Sequence, residues 1–317
     1  MNTSPLVLEP ASTDASFRSY FRVRAQGQSL IVMDAPPAHE DCRAFVRVAL
    51  LMASAGVHVP EVIAQDLERG FLLLSDLGTT SYLQVLNADS ADALFGDAID
   101  ALLRWQLASK PGVLPPYDEA LLTRELNLFP EWYVQRHLGL ALSAAQQQRL
   151  AALFAFITDS NLAQAAVYVH RDYMPRNLMV CEPNPGVLDF QDAVYGPITY
   201  DVVSLFRDAF MSWDEERVLD WTVRYWEKAK RAGLPVAADF GDFYRAFEWM
   251  GLQRHLKVLG IFARLHYRDG KRGYLDDTPR FVGYVRAVAA RYNVLGPLLV
   301  LLDELGGKAE SRAGYTF

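Results

Sequence analysis

The chain has 317 residues, of which 51% are hydrophobic and 22% charged, with a formal charge of −7. Apolar content on that scale excludes wholesale disorder, and the acidic balance argues against a nucleic-acid binder, whose domains carry a basic face. Cys42 and Cys181 are the two cysteines and lie far apart, which suits buried free thiols rather than a disulfide framework.

The N-terminus has no basic stretch followed by an apolar core, and the apolar run from Val294 to Leu302 is too short to span a bilayer and contains Gly296 and Pro297. Cytoplasmic placement and no membrane partner are therefore expected. Along the chain, LVLE, SYFRVRA and SLIVMDA within residues 5–35 read as strands of antiparallel hairpins. Glu40 to Ala55 spaces Phe45, Val48, Ala49 and Met52 as one helix stopped by Gly56, and EVIAQDLE and GFLLLSDL follow as strands.

The character changes at Leu77-Gly78-Thr79-Thr80. Amphipathic helices are predicted near 91–109, 119–137, 145–160, 199–211, 213–231, 238–265 and 279–293, with one β-rich island from Ala166 to Phe190. The expected architecture is an α+β bilobal fold: a small antiparallel-sheet lobe with one helix over residues 1–78, and a larger, mainly helical lobe over 79–317.

Within the island, His170-Arg171-Asp172-Tyr173-Met174-Pro175-Arg176-Asn177 fits H-R-D-x-x-x-x-N, and Leu188-Asp189-Phe190 supplies the D-F that follows it. Phosphoryl transfer asks little covalent chemistry of a protein. It needs a metal ion to neutralise phosphate charge and a carboxylate to orient the attacking hydroxyl and take its proton. Asp172 is the candidate catalytic carboxylate, and Asn177 and Asp189 are oxygen ligands suited to Mg²⁺. Any one of these residues alone would read as a turn cap; their order and spacing together point to a kinase-type site using ATP. His170 is expected to support the loop rather than act as a base.

These motifs, with DASFRSYFRV from Asp14, LDFQDAVYGPITYDVVSLFRD from Leu188 and LQRHLKVLGIFARL from Leu252, resemble the aminoglycoside phosphotransferase branch of the protein-kinase-like superfamily. Within that branch the combination is similar to the anomeric kinases of amino sugars. The resemblance implies ATP- and Mg²⁺-dependent phosphorylation of N-acetylmuramate and N-acetylglucosamine at C1, giving the α-1-phosphate for a sugar-1-phosphate uridylyltransferase in cell-wall recycling. It also implies a nucleotide loop over Asp14 to Phe21 and an adenine-binding linker near Ser75, Asp76 and Leu77. Asp201 would brace the catalytic loop.

Two departures stand out. The nucleotide loop lacks the glycine pattern, leaving Ser16, Phe17 and Arg18 as its contacts, and Met33 lies where a kinase lysine is expected, so Arg18, Arg22 and Arg24 are candidates for the missing charge. Gln191 replaces the glycine that follows D-F in protein kinases, which disfavours a mobile activation loop and favours a metabolite acceptor. Glu125, Asn127, Asp192, Arg254 and Lys257 are the candidate acceptor contacts. Two other readings stay open: a phosphotransferase of the same fold acting on aminoglycosides or small amines, and a nucleotide-binding pseudokinase.

Overall fold

A computed structural model of the chain describes residues 7–12, 17–25 and 27–313. Asp14, Ala15 and Ser16, the first three residues of the expected nucleotide loop, lie outside the described residues. The chain divides into two compact units, residues 1–114 with 170–194 and residues 115–169 with 195–317. The sequence suggests a single division after residue 78, whereas here the His170 segment groups with the N-terminal residues.

The first unit carries a five-stranded antiparallel sheet in the order β1-β2-β3-β5-β4. Its strands are β1 (Leu8–Ser12), β2 (Ser19–Ala25), β3 (Gln28–Asp34), β4 (Val62–Asp66) and β5 (Phe71–Ser75). Pro10 sits on the edge strand β1, the place in a sheet where a proline is tolerated. Gly70 precedes β5 with φ of +79°, and a Cβ there would lie 2.1 Å from the Ala35 carbonyl oxygen. Only glycine allows this approach, which lets Ala35 N–H donate to Gly70 O at 2.9 Å.

Helix α1 (Cys42–Ser54) starts at Asp41, whose carboxylate accepts from Arg43 N–H at 2.9 Å. It buries Phe45, Val48, Ala49 and Met52, the stripe expected from the sequence, and Phe45 meets the Phe190 ring at 4.8 Å between centroids. The same unit holds α2 (Tyr82–Val85) and α3 (Ala91–Leu107). Cys42 is buried and Cys181 half-buried, and neither is in a disulfide.

The second unit contains α4 (Glu119–Leu126), a π-helical segment Phe129–His137 and α5 (Ala144–Leu162). The single helix expected over 119–137 is divided because Pro130 has no N–H to continue the α-helical ladder. Strand β6 (Ala166–Val169) precedes the first unit's two-residue strands β7 (Leu178–Met179) and β8 (Gly186–Val187), and β6 pairs with β9 (Val194–Pro197).

Next come α6 (Tyr200–Phe206), α7 (Glu215–Arg231), the long α8 (Phe240–Tyr267), α9 (Thr278–Arg291) and α10 (Gly296–Ala313). Helix α8 runs through a core that includes Leu126, Phe129, Leu252, Leu259, Phe281 and Leu298. Each such side chain contributes roughly 1.5–3 kcal/mol on burial. Gly260 lets α8 approach the π-helical segment, since a Cβ there would fall 2.4 Å from the Leu128 backbone. No described helix is long and apolar enough to cross a membrane.

Candidate active site

The loop between β6 and β7 is organised by its own polar groups. His170 is fully buried and receives the Asp172 N–H on Nδ1 at 3.2 Å. That leaves Nε2 to donate to the Leu188 carbonyl at 3.0 Å, tying the loop to the chain just ahead of Asp189. Burial pushes the imidazole down to about 4, against the opposing pull of the Asp172 charge and the Leu188 hydrogen bond.

A neutral, buried histidine has a consequence for stability. Its folded-state pKa lies below the ordinary 6.5, so the unfolded chain binds the extra proton first. The stabilising contribution is complete above 6.5 and is lost as pH falls from there toward 4. The gap corresponds to something on the order of 3 kcal/mol. Urea unfolding of the wild type and His170→Gln across pH 7.5 to 4 should show the wild type losing stability more steeply within that window. Parallel curves would mean that His170 does not stay neutral in the fold.

Asp172 is half-buried. Its backbone carries the loop: its carbonyl accepts from Met174 N–H at 2.9 Å and from Asn177 Nδ2 at 2.9 Å. No described side chain hydrogen-bonds its carboxylate, which is thus available to a hydroxyl. Asn177, nine-tenths buried, also directs Nδ2 toward Asp189 Oδ2 at 3.4 Å. The amide nitrogen being fixed in this way, Oδ1 is the ligand atom that Asn177 offers.

Asp189 adopts φ of +63° and Arg171 φ of +78°, left-handed conformations uncommon outside glycine. Such backbone is retained where surrounding contacts determine it, and it concentrates at functional sites. Gln191 is a member of the site that sequence reasoning missed, having served there only as a sign of a shortened loop. Its Nε2 donates to Asp189 Oδ1 at 2.7 Å, while its Oε1 is buried without a partner. The signal was its place two residues after Asp189, close enough for a long amide to fold back.

The donor set suits a hard cation. Asp189, half-buried, supplies a carboxylate, Asn177 an amide oxygen, and the buried, orphaned Gln191 Oε1 belongs to the side chain whose Nε2 bonds Asp189. Among the described residues there is no group of three or more His, Cys, Asp or Glu able to cage a metal. Mg²⁺ needs no such cage, since it is held by one or two protein oxygens together with substrate phosphates and water.

The nucleotide candidates divide. Phe17 is exposed and stacks on His39 at 4.4 Å, and Arg18 Nη2 pairs with Glu40 Oε2 at 2.7 Å. Arg22 makes a bidentate pair with Asp76 at 2.6 and 2.9 Å and donates to Gly78 O at 2.9 Å. Burial alone would raise the Asp76 carboxyl, but donors from Arg22, Ser29 and Gly78 N–H hold it below the usual carboxylate range. Ser75 Oγ accepts from Glu61 N–H at 2.9 Å, and Leu77 is buried. Asp76 thus holds the linker together with its side chain.

Among the acceptor candidates, Glu125 and Lys257 engage each other. Lys257 Nζ lies 2.9 Å from Glu125 Oε1 and 3.0 Å from the Tyr200 hydroxyl, and Glu125 also accepts from Gln253 at 3.1 Å and from the Tyr117 hydroxyl. Asn127 is exposed at the C-cap of α4, and Asp192 is exposed. Arg254 is buried, and its Nη1 has no hydrogen-bond partner. Asp201 is fully buried in the first turn of α6.

Comparison with known proteins identifies the family and the fold. The family model described as "Phosphotransferase enzyme family" matches residues 7–240. The chain is 57% identical to an N-acetylmuramate/N-acetylglucosamine kinase of Pseudomonas putida over 96% of this chain and 90% of that protein. It is 50% identical to a protein of the same name from Neisseria meningitidis, over 97% and 93% of the two chains. Among solved structures, a choline/ethanolamine kinase family protein from Mesorhizobium loti shares the fold with a TM-score of 0.63 at 15% identity, over 94% of this chain and 92% of that one. The fold is therefore kinase-like, and the chain belongs to the phosphotransferase enzyme family.

Proposed function

We propose that the protein is an ATP-dependent sugar kinase that phosphorylates the anomeric hydroxyl of N-acetylmuramate and N-acetylglucosamine. The chemistry is supported by one observation: Asn177 Nδ2 reaches both the Asp189 carboxylate, at 3.4 Å, and the Asp172 backbone carbonyl, at 2.9 Å, so one amide ties the three motif residues together. The acceptor is supported by the names of the relatives, two of which are 57% and 50% identical over nearly the whole chain.

In this reading residues 1–78 supply nucleotide contacts and residues 79–317 the base, metal and acceptor contacts. Asp172 accepts the proton of the C1 hydroxyl as its oxygen attacks the γ-phosphorus. The bond from that phosphorus to the β–γ bridging oxygen breaks, and ADP leaves. The anomeric hydroxyl suits a carboxylate base because the ring oxygen makes it more acidic than other sugar hydroxyls. Asn177 and Asp189 would hold Mg²⁺, whose charge offsets that of the phosphates. Gln191 keeps the Asp189 carboxylate oriented. Arg254, buried and without an anionic partner among the described residues, suits the lactyl carboxylate of N-acetylmuramate.

An ATP consumer of this kind belongs in the cytoplasm. Its product, an α-1-phosphate, is the substrate class of a sugar-1-phosphate uridylyltransferase. The test is phosphorus NMR of the protein incubated with Mg·ATP and each sugar: an anomeric phosphate resonance is expected from both. ATP binding without sugar phosphorylation would sink the acceptor assignment and turn the search to amines.

A further inference from the structure

We infer that Arg18, held by Glu40, is the phosphate-binding cation of the nucleotide site and takes the place of the missing kinase lysine. The inference rests on the phosphotransferase reading above and concerns its nucleotide half. A kinase site needs a fixed cation near the phosphates, commonly a lysine on the third strand paired with a glutamate of the small-lobe helix. Here that strand carries Met33, which is fully buried and apolar.

The arginines of the adjacent strand were the alternatives, and the structure separates them. Arg22 is bound by both Asp76 oxygens and by Gly78 O, so its charge is matched within the linker. Arg24 is exposed. Arg18 differs from both in position and in company.

The register of β2 on β3 pairs Tyr20 with Met33 and Ser19 with Asp34, so Arg18 emerges at the same end of the sheet as Met33. Two consecutive contacts pin it there, Phe17 on His39 and Arg18 on Glu40, and Glu40 stands just ahead of α1. The cation–carboxylate pair beside the helix is thus rebuilt with the cation brought from β2 instead of β3.

The Arg18 side chain is 11% exposed and that of Glu40 14%, so the pair is shielded from bulk water yet reachable. Burial works against the Arg18 charge, but Tyr20, Glu40 and Asp192 outweigh it and keep the guanidinium protonated. The influence of Asp192, three residues after Asp189, places Arg18 in the electrostatic field of the metal-ligand segment. A guanidinium has five N–H donors in a fork that matches phosphate oxygens, and its Nη2 makes the contact with Glu40.

The experiment is equilibrium binding of Mg·ATP and of adenosine, without sugar, to the full-length protein and to Arg18→Met, Arg18→Lys, Glu40→Gln, the Arg18→Met/Glu40→Gln double variant and Arg24→Met. Arg18→Met should weaken Mg·ATP by about tenfold or more while adenosine binds as before, a loss typical of a charge-assisted phosphate contact. Arg18→Lys should recover part of that loss. Glu40→Gln should weaken Mg·ATP less, and the double variant should be no worse than Arg18→Met alone, because the two residues act as one unit. Arg24→Met should bind like the wild type.

Unchanged Mg·ATP affinity in Arg18→Met would overturn the inference. So would an equal loss of Mg·ATP and adenosine, which would make Arg18 a structural residue, and Arg18→Lys decides the matter should Arg18→Met fail to fold. Failure of the wild type to bind Mg·ATP at all would instead sink the phosphotransferase reading.

Discussion

Replacing Asp172 with Asn should reduce sugar-dependent ATP turnover by about 10²–10⁴-fold, the contribution of a positioned general base, while Mg·ATP still binds. The distinction follows from how the loop is built. The Asp172 backbone, not its carboxylate, holds the structure: its N–H reaches His170 Nδ1, and its carbonyl receives Met174 N–H and Asn177 Nδ2. Asparagine keeps the size of the side chain and every one of these backbone bonds, and it removes only the proton acceptor. Coupled ADP-release kinetics with either sugar, alongside nucleotide titration, would check this. A variant that binds neither nucleotide nor sugar would assign Asp172 to the architecture of the loop, and one that turns over normally would remove it from the chemistry.

Lys257→Met is expected to have the largest effect on stability. Lys257 and Glu125 expose only 10% and 6% of their side chains, and the ammonium lies 2.9 Å from the Glu125 carboxylate. Removing it leaves a carboxylate in the core with the Tyr117 hydroxyl and Gln253 amide as donors. Stranding a buried charge in this way typically costs about 3–5 kcal/mol, whereas replacing both partners with apolar groups of similar volume is often neutral. Lys257→Met should therefore lower stability to urea markedly, and Glu125→Leu combined with Lys257→Met should recover much of the loss. Should Lys257→Met instead fold with nearly wild-type stability and lose sugar affinity, Lys257 would be an acceptor contact, as the sequence suggested.

Both predictions turn on the difference between what neighbouring residues dictate and what distant ones do. The catalytic loop was legible because its information is local. Asp172, Asn177 and Asp189 lie on one short segment, and the spacing between them sets which backbone bonds can form. The stripes of α1 and the later helices were legible for a similar reason, since a period of 3.6 residues is written into each segment by itself.

Helix α10 went unrecognised although Leu298, Leu301, Leu302 and Leu305 are buried at helical spacing. Gly296 and Pro297 drew attention as breakers, yet they open the helix, where a proline's missing N–H leaves no bond unmade. Conversely, the run over 119–137 was periodic enough to pass for one helix, and only the position of Pro130 within it marked the change of ladder.

By itself, then, the sequence determined the α+β class, the kinase-type motif and the absence of a lysine at Met33. Tertiary structure alone decided which charges meet: Arg18 with Glu40 across 22 positions, Arg22 with Asp76 across 54, and Lys257 with Glu125 across two helices far apart in the chain. Periodicity reports which face of an element is buried but carries nothing about the register between elements. An ion pair exists only once strand register and helix packing have brought two distant side chains within a few ångströms.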